Sequence, residues 1–406
     1  MAVSVEEALQ LIYENIKPKT TKILPLELAL GHIISQDITA TLNLPPYDNS
    51  AMDGYAIKCD EMGQKLNILK TIFAGDKEEY MLQTGSAYKI MTGAKIPFGA
   101  EAIVPIEEAQ TDEEFVTFSK DVKHGMHIRL CGEDIEEDDL IIEQNTLLCA
   151  HHITLLASQG ISHVNVYAKP RVALFASGSE LKMHWEKLGV HQLYNTNTPT
   201  FMARAKELGC KAEFLGTTED SVEALCEMIQ TALDYDLIIT SGGVSVGDAD
   251  FTKEAFSCFD FEPLFEKVDI KPGKPTTFGR IGNTFILNLP GNPLAATLNF
   301  ELFAKAAILA LSANGEKYIN VIETKMGTEF KTRAGKRSLI PGYFDGSSFS
   351  AVEKFAPGMI SPMAISNGFI MIDQEVSLLE AGHSVKFISS RFGFTCKHKK
   401  DLVTYQ

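Results

Sequence analysis

Leu237-Ile238-Ile239-Thr240-Ser241-Gly242-Gly243-Val244-Ser245-Val246-Gly247-Asp248-Ala249-Asp250 is an apolar run that ends in a glycine-rich, hydroxyl-bearing turn. Four apolar or β-branched residues halted by glycines read as a buried strand. The same rhythm extends on both sides. Val172–Ala176, Lys211–Leu215 and Phe285–Leu289 read as strands, while 199–208, 221–233 and 294–311 carry helical spacing. Strands alternating with helices over this span predict parallel βαβ units, a doubly wound α/β domain whose site lies at the carboxyl ends of its strands.

The flanking stretches follow other rhythms. Ala8, Leu9, Leu11, Ile12 and Ile16 are spaced as a helix that Lys17-Pro18 closes, and 150–158 reads as another, stopped at Gly160. Short β-rich runs broken by Gly and Pro precede residue 128, and alternating residues with Gly-Ser turns follow 316. The expected architecture is a multidomain α/β plus β chain. It comprises an elongated helical and linker domain (1–42 with 129–168), a mostly β domain (43–128), the α/β domain (169–314) and a small C-terminal β domain (315–406).

With 406 residues, 45% hydrophobic, the chain is long enough for several cores. Its net charge of −16 argues against nucleic acid or an anionic membrane as partner, so an anionic ligand must meet a local basic pocket. There is no signal-like start and no uninterrupted apolar run of spanning length, and a cytoplasmic location is expected. Seven cysteines without a C-x-x-C pair suggest reduced thiols.

Three loops after strands hold the chemistry. In Ser241, Gly242, Gly243, Ser245 and Gly247, glycines let backbone N–H groups converge on phosphate oxygens while hydroxyls add donors. Asp248-Ala249 stands where a P-loop needs Lys and Ser/Thr, so nucleoside triphosphate binding of that type is excluded. Pro290-Gly291-Asn292-Pro293 offers Asn292 as N-cap and a helix N-terminus that favours an anion. Carboxylates beside phosphate repel it unless a cation bridges them. Magnesium relies on one or two carboxylates plus phosphate oxygens and water, which makes Glu180, Asp220 and Asp250 candidate ligands. Lys267, Lys271 and Lys274, stiffened by Pro272 and Pro275, suit an oxyanion.

Ser50-Ala51-Met52-Asp53-Gly54-Tyr55-Ala56, Met91-Thr92-Gly93-Ala94, Gly132-Glu133-Asp134, Ser241–Gly247, Lys271-Pro272-Gly273-Lys274-Pro275 and Leu289-Pro290-Gly291-Asn292-Pro293 together resemble the MoeA family of molybdopterin molybdenumtransferases, in family order along essentially the whole chain. The resemblance implies insertion of molybdenum from molybdate into adenylylated molybdopterin with release of AMP and a requirement for Mg²⁺. It implies a homodimer of elongated subunits sharing a cleft, with Asp53, Thr92 and Asp134 on one side and Glu180, Asp220, Asp250, Lys267, Lys271 and Lys274 on the other. It also implies a transient contact with the molybdopterin adenylyltransferase. Gly178-Ser179-Glu180-Leu181 departs from the family's Gly-Asp-Glu-Leu, and Ala356-Pro357-Gly358 stands where a Ser-containing turn is common. In the C-terminal domain Arg337 is the best remaining oxyanion contact. Two rivals share the α/β domain: the adenylyltransferase itself, which lacks the flanking domains, and a non-catalytic scaffold such as the related C-terminal domain of gephyrin. The retained acidic residues and lysines favour an enzyme.

Overall fold

The computed structural model describes residues 2–18, 20–112, 114–118, 121–242 and 251–391. At its centre is a six-stranded sheet. Its elements are β1 (Arg171–Ser177), α1 (Asn197–Glu207), β2 (Lys211–Thr218), α2 (Val222–Ala232), β3 (Leu237–Ser241), α3 (Phe251–Ser257), β4 (Glu262–Phe265), β5 (Thr277–Ile281), β6 (Thr284–Leu289), α4 (Pro293–Asn299) and α5 (Lys305–Leu311). The strand order is β2-β1-β3-β6-β5-β4. The first four strands are parallel, as the strand–helix alternation predicts. β5 and β4 add an antiparallel edge that the alternation does not reveal. Register sets Ala176 beside Ser241 and Ser241 beside Leu289, so the strand ends lie level.

Residues on alternate sides of these strands feed two cores. Val172, Leu174, Leu237, Ile239 and Leu287 pack under α1 and the long helix, while Ala173, Phe175, Ile238 and Ile286 pack under α2 and α3. The N-terminal helix, Val5–Asn15, is closed by a reciprocal cap in which Ser4 Oγ accepts from Glu7 N–H at 3.1 Å and Glu7 accepts from Ser4 N–H at 2.7 Å. Its buried face, Val5, Ala8, Ile12 and Ile16, belongs to the first of these cores rather than to the module that follows it in sequence. That module pairs strand Thr21–Pro25 with His163–Tyr167 and buries Leu26, Ile34, Leu148, Leu156 and Val166 beneath helix Ala150–Ser158.

In the second module Gly54–Ile57 runs between Ser86–Ile90 and Ala102–Pro105. Gly54 is required there, because a Cβ would stand 2.2 Å from the Val104 carbonyl oxygen. The C-terminal module contains a closed five-stranded barrel, and closure removes that sheet's edges.

The helix read over 294–311 is present, with one irregularity. Pro293–Leu311 is a continuous rod, but Phe300–Ala304 at its middle is a π-helical turn. It is also long and apolar enough to cross a membrane, yet 83% of its apolar window is buried, which makes it a core helix. Within the π turn, Glu301, only 2% exposed, accepts from Arg204 Nε at 2.6 Å and from Nη2 at 3.0 Å. Burial pushes the Glu301 carboxyl up, and the guanidinium pulls against that shift.

Removing one member of a buried pair leaves the other uncompensated, so Arg204→Met is expected to cost about 3 kcal/mol. The carboxyl, left with Lys305 as a nearby cation, is easier to bury protonated, so its already raised folded pKa moves further up and the deficit grows with rising pH. Denaturant unfolding at pH 5 and pH 8 measures both; an equal loss at the two pH values contradicts the assignment.

Candidate functional site

The strand ends meet where two backbones come close together. Gly242 has φ +103°, and a Cβ there would lie 2.5 Å from the Ser177 carbonyl oxygen and 3.3 Å from Ser177 Oγ. Only glycine lets β1 and β3 approach so closely at this level. Asn197, in the first turn of α1, fastens the next two strand ends with one amide. Its Nδ2 donates to Ser241 Oγ at 2.7 Å and to the Gly291 carbonyl at 2.8 Å, and Ser241 Oγ donates to the Pro290 carbonyl at 3.2 Å. Asn197 is a functional neighbour that motif reading misses, although the cap-rich run Asn195-Thr196-Asn197-Thr198 signals it.

This wiring changes the expected roles. The Ser241 hydroxyl and the Pro290 and Gly291 carbonyls are engaged with one another and with Asn197, so the Ser241 side chain ties two strand ends together. Asn292 occupies the N-cap but makes no side-chain cap bond. The Leu294 N–H instead donates to the Pro357 carbonyl at 2.9 Å, so the C-terminal module takes a donor that the sequence reading assigned to an anion. Gly243, Ser245, Gly247 and Asp250 lie outside the described residues.

Glu180 and Asp220 follow the adjacent strands β1 and β2, and both are exposed, with no ion pair among the described residues. Among the described residues no three metal-ligating side chains cluster to hold an ion by themselves. Two exposed carboxylates fit a hydrated Mg²⁺ completed by phosphate oxygens, which draws on few protein ligands.

The lysine segment links β4 to β5 and is bolted to three other parts of the chain. Val3 and Lys267 are joined by a backbone bond of 2.9 Å, and Lys271 N–H donates to the Arg337 carbonyl at 2.9 Å. Underneath, Thr276 Oγ1 donates to Asn299 Oδ1 at 2.9 Å, and Asn299 Nδ2 donates to the Pro272 carbonyl at 3.3 Å; both residues are fully buried. Gly273, at φ +113°, has room for no side chain, since a Cβ would overlap Asn299 Nδ2 at 1.8 Å. Lys267, Lys271 and Lys274 stay exposed, with no carboxylate partner in the described residues. Arg337 departs from expectation: Glu6 holds its guanidinium at 2.6 and 2.8 Å and Asp373 lies 3.6 Å away, so its charge is engaged in joining the barrel to the N-terminal helix.

On the β module, Asp53 and Thr92 come together. Asp53 Oδ1 accepts from Thr92 N–H at 2.7 Å and from Thr92 Oγ1 at 2.8 Å. Those bonds, the backbone one foremost, hold the carboxyl below the usual carboxylate range, so it stays ionised with Oδ2 free. Asp134 is exposed on a turn anchored by its own N–H to the Leu44 carbonyl at 3.0 Å. Pairing of Ile128–Arg129 with Asn49–Ser50 joins the segments that lead to Asp134 and Asp53. Between α1, α4 and the C-terminal module opens a cavity of about 640 Å³ that meets the strand ends at Asn197 and Pro293.

Family models match along most of the chain. The MoeA N-terminal region (domain I and II) covers residues 3–160, the probable molybdopterin binding domain 173–310 and the MoeA C-terminal region (domain IV) 323–389. A curated protein of Haemophilus influenzae named molybdopterin molybdenumtransferase is 34% identical over 382 residues, spanning 91% of this chain and 93% of that protein. One of the same name from Staphylococcus epidermidis is 32% identical over 410 residues, spanning 95% of each. A solved structure titled molybdopterin biosynthesis moea protein, from Pyrococcus horikosii, superposes with a TM-score of 0.83 at 26% identity, covering 97% of this chain and 100% of that one.

Asn197→Ala is expected to leave the Gly291 carbonyl unsatisfied and to cost about 1–3 kcal/mol. Thermal unfolding checks this, and an unchanged melting temperature removes Asn197 from its fastening role.

Proposed function

The chain belongs to the MoeA family of molybdopterin molybdenumtransferases, and on that basis we propose that it inserts molybdenum from molybdate into adenylylated molybdopterin and releases AMP, in molybdenum cofactor biosynthesis. The observation that carries this reading is the lysine segment. Three exposed lysines without a carboxylate partner among the described residues lie on one segment, part of which the buried Asn299–Thr276 pair holds rigid, on a chain of net charge −16. Such a segment gathers a dianion that the rest of the protein repels. Lys271 and Lys274 bind molybdate or the ligand's phosphates as compact charges with three donors each, and Lys267 lies on the same segment.

Glu180, Asp220 and Asp250 hold Mg²⁺, which neutralises charge on the phosphates when bound. Asp53, kept ionised by Thr92, and Asp134 present acceptors from the other side of the cleft. The protein works as a cytoplasmic homodimer that receives its substrate through transient contact with the adenylyltransferase. Ile23, Leu28 and Leu30, 70%, 63% and 59% exposed on the first module, support a second copy covering that face.

Incubating the purified chain with adenylylated molybdopterin, Mg²⁺ and molybdate, and following AMP release, tests the activity; no AMP above the protein-free control overturns it. Lys271→Gln removes a charge at similar reach, so the molybdate concentration for half-saturation should rise roughly tenfold to a hundredfold at unchanged melting temperature. An unaltered saturation curve makes the segment structural. Analytical sedimentation should give twice the 44.6 kDa chain mass. A monomer that turns over sinks the homodimer.

A further inference from the structure

Buried hydroxyls are almost always hydrogen-bonded, and each exception calls for a cause. Ser177, at the carboxyl end of β1, is 5% exposed and its Oγ has no partner. The comparison with Ser241 is direct. Ser241 ends the neighbouring strand, and its hydroxyl is tied to Asn197 and the Pro290 carbonyl. Of these two strand-end serines, therefore, one is consumed by the fold and the other is left over.

Alternation along β1 puts Ser177 on the side of Ala173 and Phe175, which pack toward α2 and α3. Two other orphaned groups share that side. Asn288, 1% exposed with Oδ1 unpartnered, follows Ile286 by the same alternation; Thr252, 2% exposed with Oγ1 unpartnered, lies one turn before the buried Ala255 and Phe256 of α3. Three buried polar groups without partners, on one side of the sheet near the carboxyl ends of its strands, are what a site looks like when its ligand supplies the missing bonds. Gly242 lies directly beside the Ser177 hydroxyl and offers it no side chain: a Cβ there would stand 3.3 Å from Ser177 Oγ.

We propose that Ser177 is a ligand-binding residue whose hydroxyl donates to a phosphate oxygen of the bound nucleotide-bearing substrate. The assignment rests on the function proposed above. It moves the hydroxyl contact from Ser241 to Ser177 and onto the α2–α3 side of the sheet.

A structural hydroxyl and a ligand-binding one respond oppositely to deletion. Removing an unsatisfied buried hydroxyl spares its desolvation penalty, whereas removing a bonded one leaves its partners unpaired. In the full chain, Ser177→Ala should melt at or above the wild-type temperature and bind AMP, in the presence of Mg²⁺, about tenfold or more weakly by calorimetry, the loss expected for a charge-assisted hydrogen bond. Ser241→Ala should melt lower. Unchanged AMP affinity in Ser177→Ala overturns the proposal, as does a weakened affinity accompanied by a lower melting temperature, which marks a packing role. If the wild-type chain binds no AMP, the parent reading fails, and this assignment with it. Normal wild-type binding alongside an unaffected Ser177→Ala variant sinks the serine alone.

Discussion

The convergence of strand ends on the Asn197 amide is the contact on which the site's geometry depends. A parallel sheet delivers its strands' carboxyl ends side by side, but the loops beyond them have no ladder bonds to keep them in register. One buried side chain joins Ser241 to Gly291 and thereby joins the ends of β3 and β6. The next contact along, between β1 and β3, is bare backbone against backbone at Ser177 and Gly242. These two solutions differ in consequence: the first uses up a hydroxyl, and the second leaves one free.

Electrostatics imposes a second requirement. A chain of net charge −16 that handles anions gains from lysines held in place, because mobile lysines would find carboxylates in such a surface. The β4–β5 connection achieves this with neutral buried groups, Thr276 and Asn299, beneath a glycine that admits no side chain. Arg337 takes the opposite course. Its charge is spent on Glu6 and Asp373, which fastens the barrel to the N-terminal helix while the backbone of Arg337 fixes Lys271. The C-terminal module thus bears on the site through main-chain contacts, at Lys271 and again where the Pro357 carbonyl caps α4.

The sequence by itself determined the α/β architecture. Strand and helix periodicities report which faces are buried, and the glycine-rich turns report where backbone must pass close to backbone or ligand. The family resemblance drew attention to the loops of Asp53 and Thr92, but only the fold shows that Thr92 N–H donates to Asp53 Oδ1, at 2.7 Å. Tertiary structure alone decided which polar groups remain available. Ser177 and Ser241 look alike in sequence, as serines closing apolar strands, and they differ only because Asn197 from a distant helix reaches one of them. The same holds for Arg337, for the N-terminus of α4 and for the N-terminal helix, whose apolar stripe gives no sign of the core it joins. A residue's own chemistry is local, but whether its hydrogen bonds and charge are already satisfied depends on partners that folding brings from far along the chain.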